Sequence, residues 1–285
     1  MKAIALLEVQ ATSVEGDFDG NLVVNGVAEN IVLVENKPFY NDRNFKAKNV
    51  SYSKIFAKKT YLNQSAGWEA MILPFNVETI TSIEKDVTLL PFGLTNESES
   101  LPCWLATWVD AAQSFVDIQY IKANTPFIMA VPNSEDYQDE YNISGLISFS
   151  AKDETIHKTD LLYGDVSHTY SMRATYQSLS ADKQIFVLND DTAYVDNTIE
   201  SIMPGGAFVS DRYDVAPFEA YLYSPSLNEQ QSFLRVAKDM TTAIERLIMH
   251  RQQNDHWYNL QGRRLRTRPT QPGLYINNGQ KILIQ

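Results

Sequence analysis

Gly67-Trp68-Glu69-Ala70-Met71-Ile72-Leu73-Pro74-Phe75-Asn76-Val77 is an aromatic-led apolar run that passes into a Pro-Phe dipeptide. The dipeptide recurs at Pro38-Phe39, Pro91-Phe92, Pro126-Phe127 and Pro217-Phe218, so five of the 11 prolines precede a phenylalanine. With 13 Phe in 285 residues, chance would give about 0.5 such pairs. Proline cannot donate to a strand ladder, and phenylalanine fills a core. The repeat therefore reads as a device for starting or ending strands in an all-β core, not as a catalytic motif. Trp68 reads as a core anchor.

The rest of the chain agrees with this reading. Asn25-Gly26 lies between Leu22-Val23-Val24 and a run ending in Ile31-Val32-Leu33-Val34, the signature of a tight hairpin. In Asn49 to Phe56, period-two alternation puts Val50, Tyr52 and Phe56 on one side. Phe127 to Val131 is a continuous apolar run between Pro126 and Pro132, as expected of a strand buried on both faces. Further strands are expected over Thr79 to Leu90, Thr107 to Val109, Phe115 to Ile121, Leu146 to Phe149, Tyr170 to Tyr176, Gln184 to Leu188 and Phe218 to Tyr223. Short strands at this spacing predict an antiparallel β-sandwich or jelly-roll body over residues 1–237, as one unit or as two sub-domains divided near 150. Residues 238–256 read as a linker or short helix. Residues 257–285 read as a small C-terminal hairpin module, with Leu274 to Asn277 pairing across Asn278-Gly279 with Gln280 to Ile284.

Charge is unevenly spread. The net charge is −11, yet residues 235–285 carry +6 and the remainder −17. An acidic body argues against nucleic acid as the main partner. The basic tail reads as a solvated hairpin more readily than as a surface for anionic lipid or polysaccharide. The single cysteine, Cys103, excludes an internal disulfide framework and a zinc site built from several thiolates. Its apolar surroundings predict an inert buried thiol. No stretch has the length and hydropathy of a transmembrane helix. The run from Met1 to Leu7 is too short for a signal-peptide core, so either the protein is cytosolic or the signal lies outside this sequence.

Few residues suggest chemistry. His157, His168, His250 and His256 show no metal-binding spacing, and there is no nucleophile elbow, P-loop or dinucleotide fingerprint. Paired acids such as Glu135-Asp136, Asp139-Glu140 and Asp190-Asp191 sit in polar loops, and a glycosidase needs two carboxylates facing each other across a cleft. Asp17, Asp19 and Asn21 begin like a calcium loop, but glycine falls at position four and Ala28 at position twelve. Asn189-Asp190-Asp191 with Asp196 is a second oxygen-rich segment, read as an ordinary Asx turn. No catalytic, metal or cofactor site is expected. Among Trp68, Trp104, Trp108 and Trp257, the candidate for stacking on a ligand ring is Trp108, which lies near a polar loop.

The tail WYNLQGRRLRTRPTQPGLYINNGQKILIQ, residues 257–285, resembles the C-terminal module of many surface and secreted proteins of the Bacteroidetes, where a YxLxGR strand precedes GxYIxNGKK. The segment TTAIERL ahead of it is similar to what precedes such tails. More loosely, Val50 to Phe56, Trp68 to Val77, Ala123 to Pro132 and Pro217 to Leu222 resemble recurring pieces of the β-rich regions upstream in that family, with Lys54 where arginine is commoner. The resemblance implies an all-β, extracytoplasmic, adhesin-like protein at the cell surface or secreted, with a signal region beyond this numbering. It carries over no catalytic residue. The leading expectation is a non-enzymatic module binding protein or glycan. The alternatives are a carbohydrate-active enzyme using loop carboxylates, and a purely structural terminal domain of a larger envelope protein. Residues 257–285 are either a sorting signal that contacts envelope or secretion machinery, or only a terminal module. Deleting them separates the two: loss from the cell surface is the outcome for a sorting signal, and undiminished display removes that role.

Overall fold

A computed structural model describes residues 7–9, 21–62, 64–92, 94, 100–160, 162–164, 169–194, 201–225 and 233–236 of the body, and residues 257–259, 265, 269–271, 273–277 and 280–284 of the tail. Among the described residues there is no helix, and so none long and apolar enough to cross a membrane. The chain divides into two compact units, Met1–Lys238 and Asp239–Gln285.

The strands of the first unit are β1 (Leu7–Val9), β2 (Leu22–Val24), β3 (Val27–Val34), β4 (Phe45–Ile55), β5 (Glu69–Met71), β6 (Thr79–Ser82), β7 (Val87–Pro91), β8 (Ser100–Val109) and β9 (Ser114–Asp117). They continue with β10 (Phe127–Ala130), β11 (Leu146–Ile156), β12 (Ser171–Thr175), β13 (Ile185–Leu188), β14 (Ala193–Tyr194), β15 (Ser201–Ile202), β16 (Ala207–Ser210), β17 (Glu219–Tyr223) and β18 (Phe233–Arg235). Sixteen of them form one open sheet running β1-β2-β3-β4-β11-β6-β7-β8-β10-β5-β17-β13-β16-β18, with β9 beside β8 and β12 beside β17; β14 and β15 pair separately. The second unit is a three-stranded antiparallel sheet of β19 (Trp257–Asn259), β20 (Gly273–Asn277) and β21 (Gln280–Ile284). In it Asn277 stands opposite Gln280.

The fold is all-β and sandwich-like, but the sheet is mixed rather than antiparallel. The pairs β1-β2, β3-β4 and β7-β8 run parallel. The reason is visible between β3 and β4. Residues 35–44 turn at Asn36, where φ is 60° and the Lys37 amide donates to the Val34 carbonyl at 3.3 Å, but they then run on. Extended they reach about 34 Å, enough to return the chain along β3 before β4 begins. Thr79 to Leu90 holds two strands, β6 and β7, not one. The division considered near residue 150 falls in the middle of β11, which pairs with both β4 and β6. The possible calcium loop around Asp17 and Asp19, His168, His250, His256, Asp196, the linker 238–256 and the Asn278-Gly279 turn lie outside the described residues.

Local chemistry accounts for the strand ends. Asn25 and Gly26 have φ of 51° and 78°, the two positive values that a two-residue primed turn requires. β8 is the corner strand. Its first residues pair with β7 and its later ones with β10 and β9. From there the sheet folds over, so that Tyr52 on β4 lies 5.0 Å from Phe218, next to β17, although the two strands are distant along the sheet. Phe39, Tyr176 and Phe149 complete this aromatic core. The phenylalanines of four Pro-Phe pairs, Phe39, Phe75, Phe127 and Phe218, are fully buried, while Phe92 packs on Trp104 at 5.2 Å. Cys103 is free and buried, and burial pushes its thiol well above the ordinary range.

Trp68 is completely enclosed. Its backbone crosses that of Gly205 so closely that a Cβ at 205 would lie 2.5 Å from the Trp68 nitrogen, and Gly205 has φ +71°. Truncating Trp68 to alanine leaves a cavity that this tight crossing cannot close. Trp68→Ala is expected to cost about 3–5 kcal/mol in urea unfolding. A stability close to that of the parent would show that Trp68 is not a core anchor.

Candidate functional site

β5 is only three residues long and buried throughout, yet its first residue is Glu69. A buried glutamate must be paired. Glu69 points, with Met71 two residues on, toward the aromatic core side of the fold. There it meets two lysines carried by the opposite layer. Lys54 is on β4, two residues after Tyr52 and on the same face. Lys58 follows β4 in a segment pinned by the buried Asn133, whose Nδ2 donates to the carbonyls of Phe56 (3.0 Å) and Lys58 (2.9 Å) and whose Oδ1 accepts from the Thr60 amide at 2.8 Å. Lys58 Nζ lies 3.0 Å from Glu69 Oε2, and Lys54 Nζ lies 3.7 Å from the same oxygen. Each lysine has a second carboxylate: Lys54 pairs with Glu35 at 2.5 Å, and Lys58 with Asp190 at 2.9 Å.

Burial opposes the charge on Lys54, but Glu69 and Glu35 outweigh it and the pKa ends raised. Burial likewise opposes Lys58, and Glu69 with Asp190 outweighs it. Both lysines stay charged. Tyr52 stays neutral: burial first, then the charges of Glu35, Glu69 and Glu219, push its phenol well up.

This cluster lines a cavity of about 520 Å³ at the edge of the sandwich. Glu219, the first residue of β17, forms part of its wall and stands opposite Met71 of β5. Glu69 and Glu219 therefore share one face of the sheet on neighbouring strands. Glu219 Oε2 accepts the Ala216 amide at 2.7 Å. Desolvation raises its pKa from 4.5 to about 7, against the lowering effect of that hydrogen bond and of Lys58 and Lys54. The residue before it, Phe218, has φ +65°, a conformation rarely open to a bulky side chain. Packing against Phe39, Tyr52 and Tyr176 holds it there, along with the hydrogen bond its amide donates to the Thr175 carbonyl at 3.0 Å. Backbone strain of this kind concentrates at functional sites.

Trp108 is placed elsewhere. It lies at the end of β8, partly buried, with Nε1 donating to the Tyr170 carbonyl at 3.1 Å and its ring edge-on to Phe115 at 5.1 Å. It does not line the cavity.

No protein-family model, curated protein or solved structure matches the chain.

The Asn189 turn is held by its own hydrogen bonds. Asn189 Nδ2 donates to the carbonyls of Asp191 and Met203, and Oδ1 accepts from Gly206 and Ala207. Asp191 is held by Tyr213 and Arg212, which keep its carboxyl below the ordinary value. Among the described residues no group of three or more metal-ligating side chains comes together. Sequence reasoning passed over Glu69, Lys54, Lys58 and Glu219. The signal was a charge inside an apolar strand: Glu69 in WEAMILPF, Lys54 in YSKIF, Glu219 in PFEAYL.

The pKa of Glu219 carries a stability consequence. The folded chain binds a proton between pH 4.5 and about 7 that the unfolded chain has released, so stability falls as pH rises through that window. Glu219→Gln keeps an acceptor for the Ala216 amide and removes the penalty. The variant is expected to be more stable than the parent by about 3 kcal/mol at pH 8 and equal to it near pH 4, read from urea unfolding at the two pH values.

Proposed function

We propose that this protein is a non-catalytic, extracytoplasmic binding module of the adhesion type, which receives part of a protein or glycan ligand in the cavity between β4 and β17. The observation that carries this reading is the cavity itself. Its size falls in the range of ligand sites, and its wall holds five carboxylates and three lysines. Buried ion pairs are weak contributors to stability, and apolar replacements are often at least as stable. A fold that keeps charge at this position is consistent with a use for it. The extracytoplasmic placement rests on the resemblance of the tail and of the body segments to Bacteroidetes surface proteins.

A second reading has one observation in its favour. Glu219, with a pKa of about 7, has the protonation expected of a general acid, and Glu69 lies on the neighbouring strand, as in a hydrolase that uses two carboxylates. Binding is preferred because Glu69 is 5% exposed and clasped by two lysines, which leaves it little access to a sugar ring or a water.

The test is a glycan and protein-ligand screen paired with a reducing-sugar release assay on any glycan that binds. Saturable binding without turnover is the expected result. Sugar release that Glu219→Gln abolishes would replace the binding reading with the hydrolase one.

A further inference from the structure

The cavity is not alone. A second one, of about 760 Å³, lies beside it, and Lys59 and Tyr61 line both. Its other walls come from Lys85 and from the 133–144 segment, which includes Glu135, Asp136 and Asp139. Together the two cavities present eight carboxylates against four lysines.

Among the described residues, all four lysines are already committed. Lys54 and Lys58 serve Glu35, Glu69 and Asp190. Lys59 donates to the Asn133 carbonyl at 2.8 Å, and Lys85 to the Asp139 carbonyl at 2.5 Å. Among the described residues the remaining carboxylates form no ion pair, although Lys58 and Lys54 act on Glu219 from beyond ion-pair distance. Asp214 accepts the Ala181 amide and Asp136 the Leu62 amide. Glu219 accepts the Ala216 amide through Oε2, while among the described residues its Oε1 takes no hydrogen bond. Glu219 is partly exposed and lines the cavity wall, so this oxygen is an accessible acceptor there. A group that donates hydrogen bonds and carries positive charge complements it.

Resting on the binding reading above, we propose that the paired cavities bind an extended segment of a partner protein bearing two or more lysine or arginine side chains, one directed to Glu219 and another to the Asp136–Asp139 loop. A neutral glycan fits less well. Such ligands stack on exposed rings, whereas Tyr52 is buried and Trp108 lies outside both cavities, which leaves Tyr61 alone as a partly exposed ring at the shared wall. A cation at Glu219 also relieves the cost of ionising it there. The charged and titratable groups around Glu219 are Tyr52 and Lys54 of β4, Lys58 beyond it, Glu69 of β5, Asp190 beyond β13, and Asp214.

The test is fluorescence anisotropy with a labelled peptide that alternates glycine with three arginines, and the same peptide with neutral citrulline in place of arginine. Maltohexaose serves as competitor. The arginine peptide is expected to bind at least about tenfold more tightly than the citrulline one, and Glu219→Gln and Asp139→Asn are each expected to weaken it about tenfold. Between pH 5.5 and 8 affinity rises for the parent and stays flat for Glu219→Gln, because the variant lacks the carboxylate whose raised pKa falls in that interval. Equal binding of the two peptides, or variants that bind like the parent, overturns the proposal. If the peptides fail and maltohexaose binds, the proposal falls while the binding reading stands. If maltohexaose is hydrolysed, both fall.

Discussion

One contact organises this molecule: the carboxylate of Glu69, at the head of a three-residue buried strand, between Lys58 and Lys54 of the opposite layer. Taking these groups from water costs several kcal/mol per ion, and an unpaired Glu69 could not remain where it is. The pairing therefore acts as a register device. If β5 slipped by one residue against β10 and β17, Glu69 would turn to the other face and both lysines would lose a partner. The rest of the sheet leans on that register, because β5 is the short link between β10 and β17.

The cavity follows from the same constraint. Charged side chains cannot pack like the aromatic cluster of Tyr52, Phe39, Phe149 and Phe218 beside them. Where the two kinds of side chain meet, at the edge of the sandwich, space remains. Glu219 stands at this boundary, one residue beyond the strained Phe218, with the aromatic core on one side and the ion cluster on the other. Its raised pKa is the electrostatic expression of that position.

Much of the fold was legible wherever the determinant is local. Asn25-Gly26 makes its turn with the two positive φ values. Val50, Tyr52 and Phe56 are buried as their spacing predicts, and so is the whole of Phe127 to Val131. The parallel pairs were not legible, because β3 and β4 are joined by a crossover with no signature of its own. The site was legible only in fragments. Lys54 and Glu219 are separated by most of the body in sequence, and nothing in either neighbourhood names the other. Each did carry a clue in isolation, a charge set in an apolar strand, but paired buried charges look the same in sequence as exposed ones on a one-sided sheet. Trp108 illustrates the converse: an aromatic near a polar loop, with its indole N–H engaged by the Tyr170 carbonyl.

A double-mutant cycle on Lys58 and Glu69 tests the central contact most directly. If the ion pair spans the two layers and is desolvated, Lys58→Met and Glu69→Gln should each destabilise the fold by about 3 kcal/mol, and the double variant should cost less than their sum by at least about 1 kcal/mol. Additivity of the two changes would mean that the groups do not depend on each other, and would contradict the account.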